Sequence, residues 1–219
     1  MKVLITGTSG GIGSATAALF LEKGHTVVGL DTKAGKYTDI IADVAEPALL
    51  PEIDGVEILI TCAGVQNASG TRDDIDINLK GTINTVEKYG FGKLIKSILM
   101  IASSSAHTGA EFPLYSASKG GILAYMRNVA IRLAPRGVTC NSISPGGVKT
   151  ELNKPVTDDP GLWKKIMDVT PMKKWAEPEE IAKWCFFLTV ENRSCSGQDI
   201  LIDNGETNLN ACFVWPEGR

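Results

Sequence analysis

Residues 2–13 read KVLITGTSGGIG, a stretch that predicts a buried strand, a glycine-rich turn and the start of a helix. Gly7 permits a tight turn, Gly11 lets a ligand approach the backbone, and Gly13 allows the helix to pack closely on the strand. The free N–H groups at the start of such a helix attract phosphate. The stretch therefore predicts a pyrophosphate site for a dinucleotide, with contacts from Gly7, Ser9, Gly11, Ile12 and Gly13.

Asp31 ends the second apolar run and is the expected partner of the adenosine ribose. A carboxylate there accepts hydrogen bonds from the ribose hydroxyls and repels a 2′-phosphate, which favours NAD over NADP. Lys33 and Lys36 follow closely and oppose this preference. Because flexible exposed lysines offset little of a close repulsion, the prediction remains NAD.

The rest of the chain continues the alternation of strand and helix. Four helices are predicted, over residues 12–23, 73–89, 115–134 and 178–189. The predicted strands are Lys2–Ile5, Thr26–Leu30, Ile40–Ala42, Val56–Thr61, Ile98–Ala102, Val138–Ile143 and Asp199–Ile202. Continuous apolar strands suit a parallel sheet covered on both faces. The fold class is therefore α/β, a doubly wound parallel sheet of the Rossmann type in one domain over residues 1–219.

Composition excludes several classes of protein. The chain has 219 residues, 43% of them hydrophobic and 21% charged, which is too apolar for a disordered chain. A net charge of -3 argues against a nucleic-acid partner, and no apolar run is long enough to span a membrane. Five cysteines without zinc spacing and two histidines predict no metal centre. With no recognisable signal peptide, a cytoplasmic protein is expected.

Residues 151–175 differ from the rest of the chain because they mix prolines, charges and large apolar side chains. This composition favours a mobile flap over the substrate rather than a core helix.

Tyr115 and Lys119 lie four residues apart, which places both on one face of a helix. A neighbouring ammonium favours the phenolate form of a tyrosine, so such a pair can exchange a proton with an alcohol or carbonyl oxygen. Upstream, Ser103, Ser104 and Ser105 follow the fifth strand, at the edge where parallel sheets bind ligands.

Together these motifs resemble the short-chain dehydrogenase/reductase family over nearly the whole chain. TGTSGGIG is similar to its cofactor turn, and Tyr115 with Lys119 matches its YxxxK motif. Further matches are Asp43-Val44, Cys62-Ala63-Gly64, Asn78 in INLKG, and the segment SPGGVKT at residues 144–150. The compact N-terminal half looks most like bacterial hydroxysteroid dehydrogenases and carbonyl reductases.

The resemblance implies hydride transfer between a nicotinamide ring and a secondary alcohol or carbonyl substrate. Tyr115 would be the general acid/base, Lys119 would lower its pKa and hold the ribose, and Ser103 would bind the substrate oxygen. Asn78 would organise a water relay. The implied cofactor contacts are Gly7, Ser9, Gly11, Ile12, Gly13, Asp31, Asp43, Val44, Cys62, Ala63, Gly64, Tyr115, Lys119, Pro145, Gly146, Val148 and Thr150.

The chain departs from the family pattern at three places, one of which is the usual C-terminal DGG, which reads Asp203-Asn204-Gly205-Glu206 here. The family's NNAG motif reads TCAG here, so both bracing asparagines are missing. The family serine usually lies thirteen residues before the tyrosine, where this chain has Ala102; a one-residue deletion makes Ser103 the choice, with Ser104 and Ser105 as alternatives.

The sequence leaves the substrate open between steroid-like, sugar-like and small hydroxy compounds. A catalytically silent dinucleotide-binding sensor or scaffold is the alternative function, and an epimerase or dehydratase on the same fold is a third. A symmetric homodimer or homotetramer is expected from apolar helix faces. These faces are formed by Met126, Val129, Ala130 and Leu133 on one helix and by Trp184, Phe187 and Leu188 on another.

Overall fold

The computed structural model describes residues 1–66, 73–110 and 112–209, which form a seven-stranded parallel sheet. The strands lie in the order β3-β2-β1-β4-β5-β6-β7. Their bounds are β1 Lys2–Thr6, β2 Thr26–Asp31, β3 Ile40–Ile41, β4 Ile58–Thr61, β5 Ser97–Ile101, β6 Thr139–Pro145 and β7 Asp199–Ile202. All seven predicted strands are present, with ends that shift by up to two residues.

Helices cover both faces of the sheet. They are α1 Gly11–Glu22, α2 Gly81–Tyr89, α3 Ser105–Thr108, α4 Pro113–Leu133, α5 Lys154–Thr157, α6 Pro160–Val169 and α7 Pro178–Phe186. A π-helical segment, Asp74–Lys80, leads into α2, and a second one, Phe187–Glu191, extends α7. Within the described ranges, no helix is both long and apolar enough to cross a membrane.

Burial on both faces explains why the strands are continuous apolar runs rather than alternating ones. Along β4, Leu59 packs into the core beneath α2 and α4, whereas Ile58 and Ile60 pack into the opposite core with α1 and α7. The doubly wound architecture predicted from the alternation of elements is confirmed.

The first crossovers are short, and this accounts for part of the modest chain length. Residues 32–39 connect β2 to β3 without a helix, and one turn at Pro47–Leu49 is the only helical structure between β3 and β4. Gly29 in the middle of β2 makes the first connection possible: a Cβ there would lie 1.7 Å from the carbonyl oxygen of Tyr37. The amide of Gly29 donates to the Asp39 carboxylate at 2.8 Å.

The apolar stripe on α4 does not offer a surface to a second subunit. Met126, Val129, Ala130 and Leu133 all lie in the core between α4 and the sheet. Leu188 is also buried within the chain, so it does not contribute to an exposed apolar face. An apolar stripe with helical spacing is typical of a subunit interface and equally of a side that faces the core, so the sequence pattern did not distinguish the two.

Candidate active site

The glycine-rich turn is the first component of the site, at the carboxyl end of β1. Gly7 has a φ of +76°, and a Cβ there would lie 2.6 Å from the Ala63 amide nitrogen. A Cβ at Gly13 would lie 2.1 Å from the Gly7 carbonyl oxygen. Only glycine suits both positions without displacing backbone. The turn therefore packs directly on the segment that follows β4.

Helix α1 begins at Gly11 in a form that suits an anion. Its N-cap residue, Gly10, provides no side-chain hydrogen bond, and no acidic residue occupies its first turn. No side-chain cap therefore accepts from the first backbone N–H groups of the helix, and the helix dipole favours negative charge at this end. These features fit the pyrophosphate of a dinucleotide. Ile12 lies in this first turn.

Asp31 lies beside this turn and is held by backbone donors. One carboxylate oxygen accepts a hydrogen bond from the amide of Ser9 at 2.9 Å, and the other accepts one from the amide of Lys33 at 3.0 Å. Within the described part of the chain, neither Lys33 nor Lys36 forms an ion pair with Asp31. The carboxylate is thus fixed at the end of β2 with its charge uncompensated.

Asp43 and Val44 follow β3 and border the same edge of the sheet. The Asp43 carboxylate accepts from the amide of Ala45 at 2.9 Å, and the Val44 carbonyl accepts from the side chain of Asn84 at 2.9 Å. Val44 packs against Gly81, where a Cβ would lie 2.5 Å from its side chain. These contacts tie the segment after β3 to the start of α2.

The TCAG segment after β4 is braced although its asparagines are absent. The Ala63 amide donates to the Thr6 hydroxyl at 3.2 Å. Asn78 accepts from the Val65 amide at 2.8 Å and donates to its carbonyl at 2.9 Å. Asn78 also donates to the Ser118 hydroxyl at 3.2 Å. Its side chain therefore acts as a brace between this segment and α4.

Gly64 is the point where two side chains of the site converge. A Cβ at Gly64 would lie 3.1 Å from Oδ1 of Asn78 and 3.5 Å from Nζ of Lys119. Cys62, two residues earlier, packs into the core with α1 and α7, and burial raises the pKa of its thiol well above the usual value. Cys62 is therefore a neutral thiol near neutral pH.

Lys119 is buried behind Tyr115, with only 6% of its surface exposed. Its ammonium donates to the Ile101 carbonyl at 3.1 Å, and Nζ lies 5.6 Å from the centre of the Tyr115 ring. Burial lowers the pKa of Lys119 to about 8, and the negative charge of Asp74 opposes this shift. The predicted pair is thus assembled beside the carboxyl end of β5.

Asp74 is a residue of this region that the sequence prediction missed. Its side chain is completely buried on the π-helical segment, one turn before Asn78. Asn78 contacts Ser118 and Leu79 contacts Gly121, so this segment and α4 run in the same direction. Asp74, four residues before Asn78, therefore lies near the level of Tyr115. A polar residue one turn before Asn78, on the same helix face, was the available signal.

The three serines after β5 have different surroundings. The Ser103 hydroxyl is nearly buried and accepts from the Ser105 amide at 3.2 Å. The Ser104 amide donates to the Pro145 carbonyl at 2.8 Å. The Ser105 hydroxyl is buried and has no hydrogen-bond partner among the described residues. Ser104 and Ser105 thus connect or begin α3, and Ser103 lies closest along the chain to β5.

The segment after β6 closes the other side of the edge. Gly146 donates to the Ile202 carbonyl at 2.9 Å, and Val148 is buried. Thr150 lies against the glycine-rich turn, since a Cβ at Gly11 would lie 2.6 Å from its methyl carbon. The structure therefore brings together two predicted cofactor segments that lie far apart in the sequence.

Residues 151–175, here called the flap, are mostly helical, and Thr170 and Trp175 are the only buried residues among them. None of the residues of α5 and α6 is buried. Asp159 caps α6 by accepting from the amides of Gly161 and Leu162. The flap ends at Trp175, whose ring meets that of Trp163 edge to face at 5.3 Å between centres. The mobility expected of this segment stays a prediction.

Comparisons with known proteins agree with this arrangement. A family model described as enoyl-(acyl carrier protein) reductase matches residues 48–207. Glucose 1-dehydrogenase of Gluconobacter oxydans is 30% identical, over 94% of this chain and 91% of that protein. The 2,3-dihydro-2,3-dihydroxybenzoate dehydrogenase of Escherichia coli is also 30% identical, over 94% of this chain and 96% of that protein. The chain belongs to the short-chain dehydrogenase/reductase family, and both of these relatives are named as dehydrogenases.

A solved structure has the same fold over nearly the full chain. The ligand-free aldohexose dehydrogenase of Thermoplasma acidophilum superposes with a TM-score of 0.83 and 26% identity, covering 99% of this chain and 97% of that one. The chain therefore shares the architecture of that protein over nearly the full length of both.

Proposed function

We propose that this protein is an NAD-dependent alcohol dehydrogenase or carbonyl reductase. The observation that carries the proposal is the pair of Tyr115 and Lys119, with the lysine buried against the Ile101 carbonyl at the carboxyl edge of the sheet. A bound nicotinamide dinucleotide would supply or accept the hydride. Such a cofactor would be held by the uncapped start of α1, by Asp31 and by the segments after β3, β4 and β6.

The residues of the chain would handle the proton and the substrate oxygen. The Tyr115 hydroxyl exchanges a proton with that oxygen, and the Lys119 ammonium stabilises the phenolate. Ser103 donates a hydrogen bond to the same oxygen, where charge develops during reaction. Asn78 holds the segment at Gly64 against Lys119, and its place in a water relay remains part of this proposal.

NAD is the proposed cofactor because of the charge at the end of β2. The Asp31 carboxylate is fixed by two backbone amides and carries no compensating ion pair among the described residues. A 2′-phosphate placed there would meet a full negative charge at short range. A relative from Agrobacterium tumefaciens, a putative 2-deoxy-D-gluconate 3-dehydrogenase, was solved with bound NADP at 25% identity and a TM-score of 0.85. That similar protein binds NADP, so the proposal of NAD rests on the charge of Asp31.

The substrate is proposed to be a small-molecule alcohol or carbonyl compound, with sugars tested first. Relatives named for glucose and aldohexose support this order, and steroids and small hydroxy compounds follow. We also propose a homodimer or homotetramer, without nucleic-acid or membrane partners. The support is the exposed pair Trp184 and Phe187, whose rings lie 6.2 Å apart on one surface.

The test is a screen of sugars, steroids and hydroxy acids, read at the absorbance of reduced nicotinamide. With a substrate found, Tyr115→Phe should lower turnover by about 100-fold or more and leave cofactor affinity nearly unchanged. Tyr125→Phe is the matched control on α4, because its hydroxyl meets Glu87 away from the site. Cofactor binding without any turnover would favour the silent sensor or scaffold, and a Tyr115→Phe variant with more than about a tenth of the activity would refute the role of Tyr115.

A further inference from the structure

Glu206 ends the segment Asp203-Asn204-Gly205-Glu206, which stands where the family has its DGG motif, and its carboxylate meets the flap at two places. Oε1 accepts from the indole N–H of Trp175 at 3.2 Å and from the hydroxyl of Thr170 at 2.7 Å. Thr170 is completely buried and ends α6, and Trp175 is nearly buried at the end of the flap. Much of Glu206 is exposed to solvent, but this oxygen faces the flap.

The indole N–H of Trp175 depends on Glu206 for a hydrogen-bond acceptor. An indole N–H can only donate, and Glu206 is its acceptor among the described residues. The Thr170 hydroxyl has one proton and two acceptors in reach, the Ile166 carbonyl at 2.8 Å and Glu206 at 2.7 Å. A charged carboxylate is the stronger acceptor of the two.

The same two residues, Glu206 and Trp175, cover the turn after β6. A Cβ at Gly147 would lie 2.0 Å from the ring of Trp175, so the indole lies directly on that glycine. A Cβ at Gly146 would lie 3.2 Å from Oε2 of Glu206. The glycine pair, the end of the flap and the segment that carries Glu206 therefore meet at one point.

Further backbone bonds support the same junction. The amide of Ala176 donates to the Gly147 carbonyl at 3.0 Å, and the amide of Met172 donates to the Asn204 carbonyl at 3.3 Å. By contrast, α5 and α6 contribute no buried residue of their own. The position of the flap thus depends on its ends rather than on a packed face.

We propose that Glu206 is a positioning residue that fixes the end of the flap on the Gly146–Gly147 turn and thereby sets the affinity for substrate. It touches no reacting atom and acts through Trp175 and Thr170. The effect on substrate affinity rests on the proposed function, whereas the effect on the flap itself does not.

The first measurement follows hydrogen exchange of amides in residues 160–175, in the chain without added ligand. Glu206→Ala should speed this exchange about ten-fold or more, because the junction opens more often. Glu206→Gln should behave like wild type, since the amide oxygen still accepts both bonds. Glu191→Ala is the matched control, an exposed acid far along the chain from the flap.

The second measurement uses a substrate that the wild type turns over. Glu206→Ala should raise KM about ten-fold and change kcat less than about three-fold, because a loosened flap reduces the fraction competent to bind. Glu206→Gln should restore KM. If Glu206→Ala does not fold, Trp175→Phe removes the indole donor instead and should speed exchange in the same segment.

The outcomes separate the two proposals. Unchanged exchange in Glu206→Ala, or a Glu206→Gln variant as impaired as Glu206→Ala, would overturn the positioning role. A fall in kcat at constant KM would also overturn it. If the wild type turns over no substrate while exchange responds as expected, the proposed function fails and the junction stands.

Discussion

Asp31 is the single side chain expected to decide between the two nicotinamide cofactors. Wild type should show a higher kcat/KM with NAD than with NADP, and Asp31→Ser should lose most of that preference, because the charge that repels a 2′-phosphate is gone. The measurement is kcat/KM for each cofactor on one substrate. Lys33→Ala is the control and should keep the preference for NAD. A wild type with a higher kcat/KM for NADP would refute the assignment of NAD and would indicate Lys33 as the partner of the 2′-phosphate.

Lys119 should make stability depend on alkaline pH. Its pKa is about 8 in the folded chain, against 10.5 for an ordinary lysine, because burial disfavours the ammonium. Between these values the folded chain releases a proton that the unfolded chain keeps, so stability rises as pH rises from 8 to 10.5. At pH 7 the buried charge is present and its full cost remains.

Lys119→Met removes that charge at similar volume and tests the effect directly. The variant should be more stable than wild type at pH 7, by up to about 3 kcal/mol, and the difference should shrink as pH approaches 10.5. Urea unfolding at pH 7 and about 9.5 measures it, with Lys93→Met on the surface as a control that shows no such trend. A Lys119→Met variant that is less stable at pH 7 would show that the bond to Ile101 outweighs desolvation.

The sequence predicts the positions of site residues where a local pattern carries the chemistry. The glycine-rich turn has to follow a strand and open a helix, and Tyr115 and Lys119 lie one helical turn apart, so short spacings suffice. Asp74 was missed although it lies one helical turn before Asn78, whereas Glu206 was missed for a physical reason. The contacts of Glu206 reach residues 31 and 36 positions away along the chain, and no local periodicity reports such a meeting.

At the scale of elements, strands were predicted to within two residues because burial on both faces leaves an unbroken apolar run. Helices α5 and α6 were not predicted, because the prolines and charges of residues 151–175 favoured a flap, although α6 is amphipathic. The π-helical start before α2 was also missed, because an extra residue per turn is a tertiary adjustment rather than a pattern. Packing decides these elements more than propensity does.

The loop of residues 32–39 should depend on Gly29 in β2. Gly29→Ala places a methyl group 1.7 Å from the Tyr37 backbone oxygen, so the loop must move and the bond from the Gly29 amide to Asp39 is strained. We expect a loss of about 3 kcal/mol in the free energy of unfolding, measured in urea. Gly120→Ala on α4 is the control: its methyl group meets nothing within 4 Å and should stabilise by about 0.5–1 kcal/mol. Equal stability of both variants would contradict the packing of this loop.

At the scale of the whole molecule, one edge of the sheet gathers every segment of the candidate site. The segments after β1, β3, β4, β5 and β6 all leave at their carboxyl ends, and residues from distant parts of the chain meet there. Among the described residues, by contrast, two large aromatic rings are left exposed on the outer surface. Trp184 on α7 is 40% exposed, and Phe187, at the start of the second π-helical segment, is 46% exposed.

These two rings should lie in a contact between subunits. They form an edge-to-face pair with centres 6.2 Å apart, and large apolar rings exposed together mark interaction surfaces more often than single exposed residues do. Light scattering should therefore give a dimer or tetramer at micromolar concentration.

An aromatic at the centre of an interface contributes about 2 kcal/mol or more, so replacing both Trp184 and Phe187 by glutamate should weaken association by roughly 100-fold or more. Leu49→Glu is the matched control, since Leu49 is 72% exposed as an isolated apolar residue on a short turn. A wild type that stays monomeric would refute a contact between subunits. A double variant that assembles as well as wild type would place the contact elsewhere, and the stripe on α4 could not supply it because that stripe is buried.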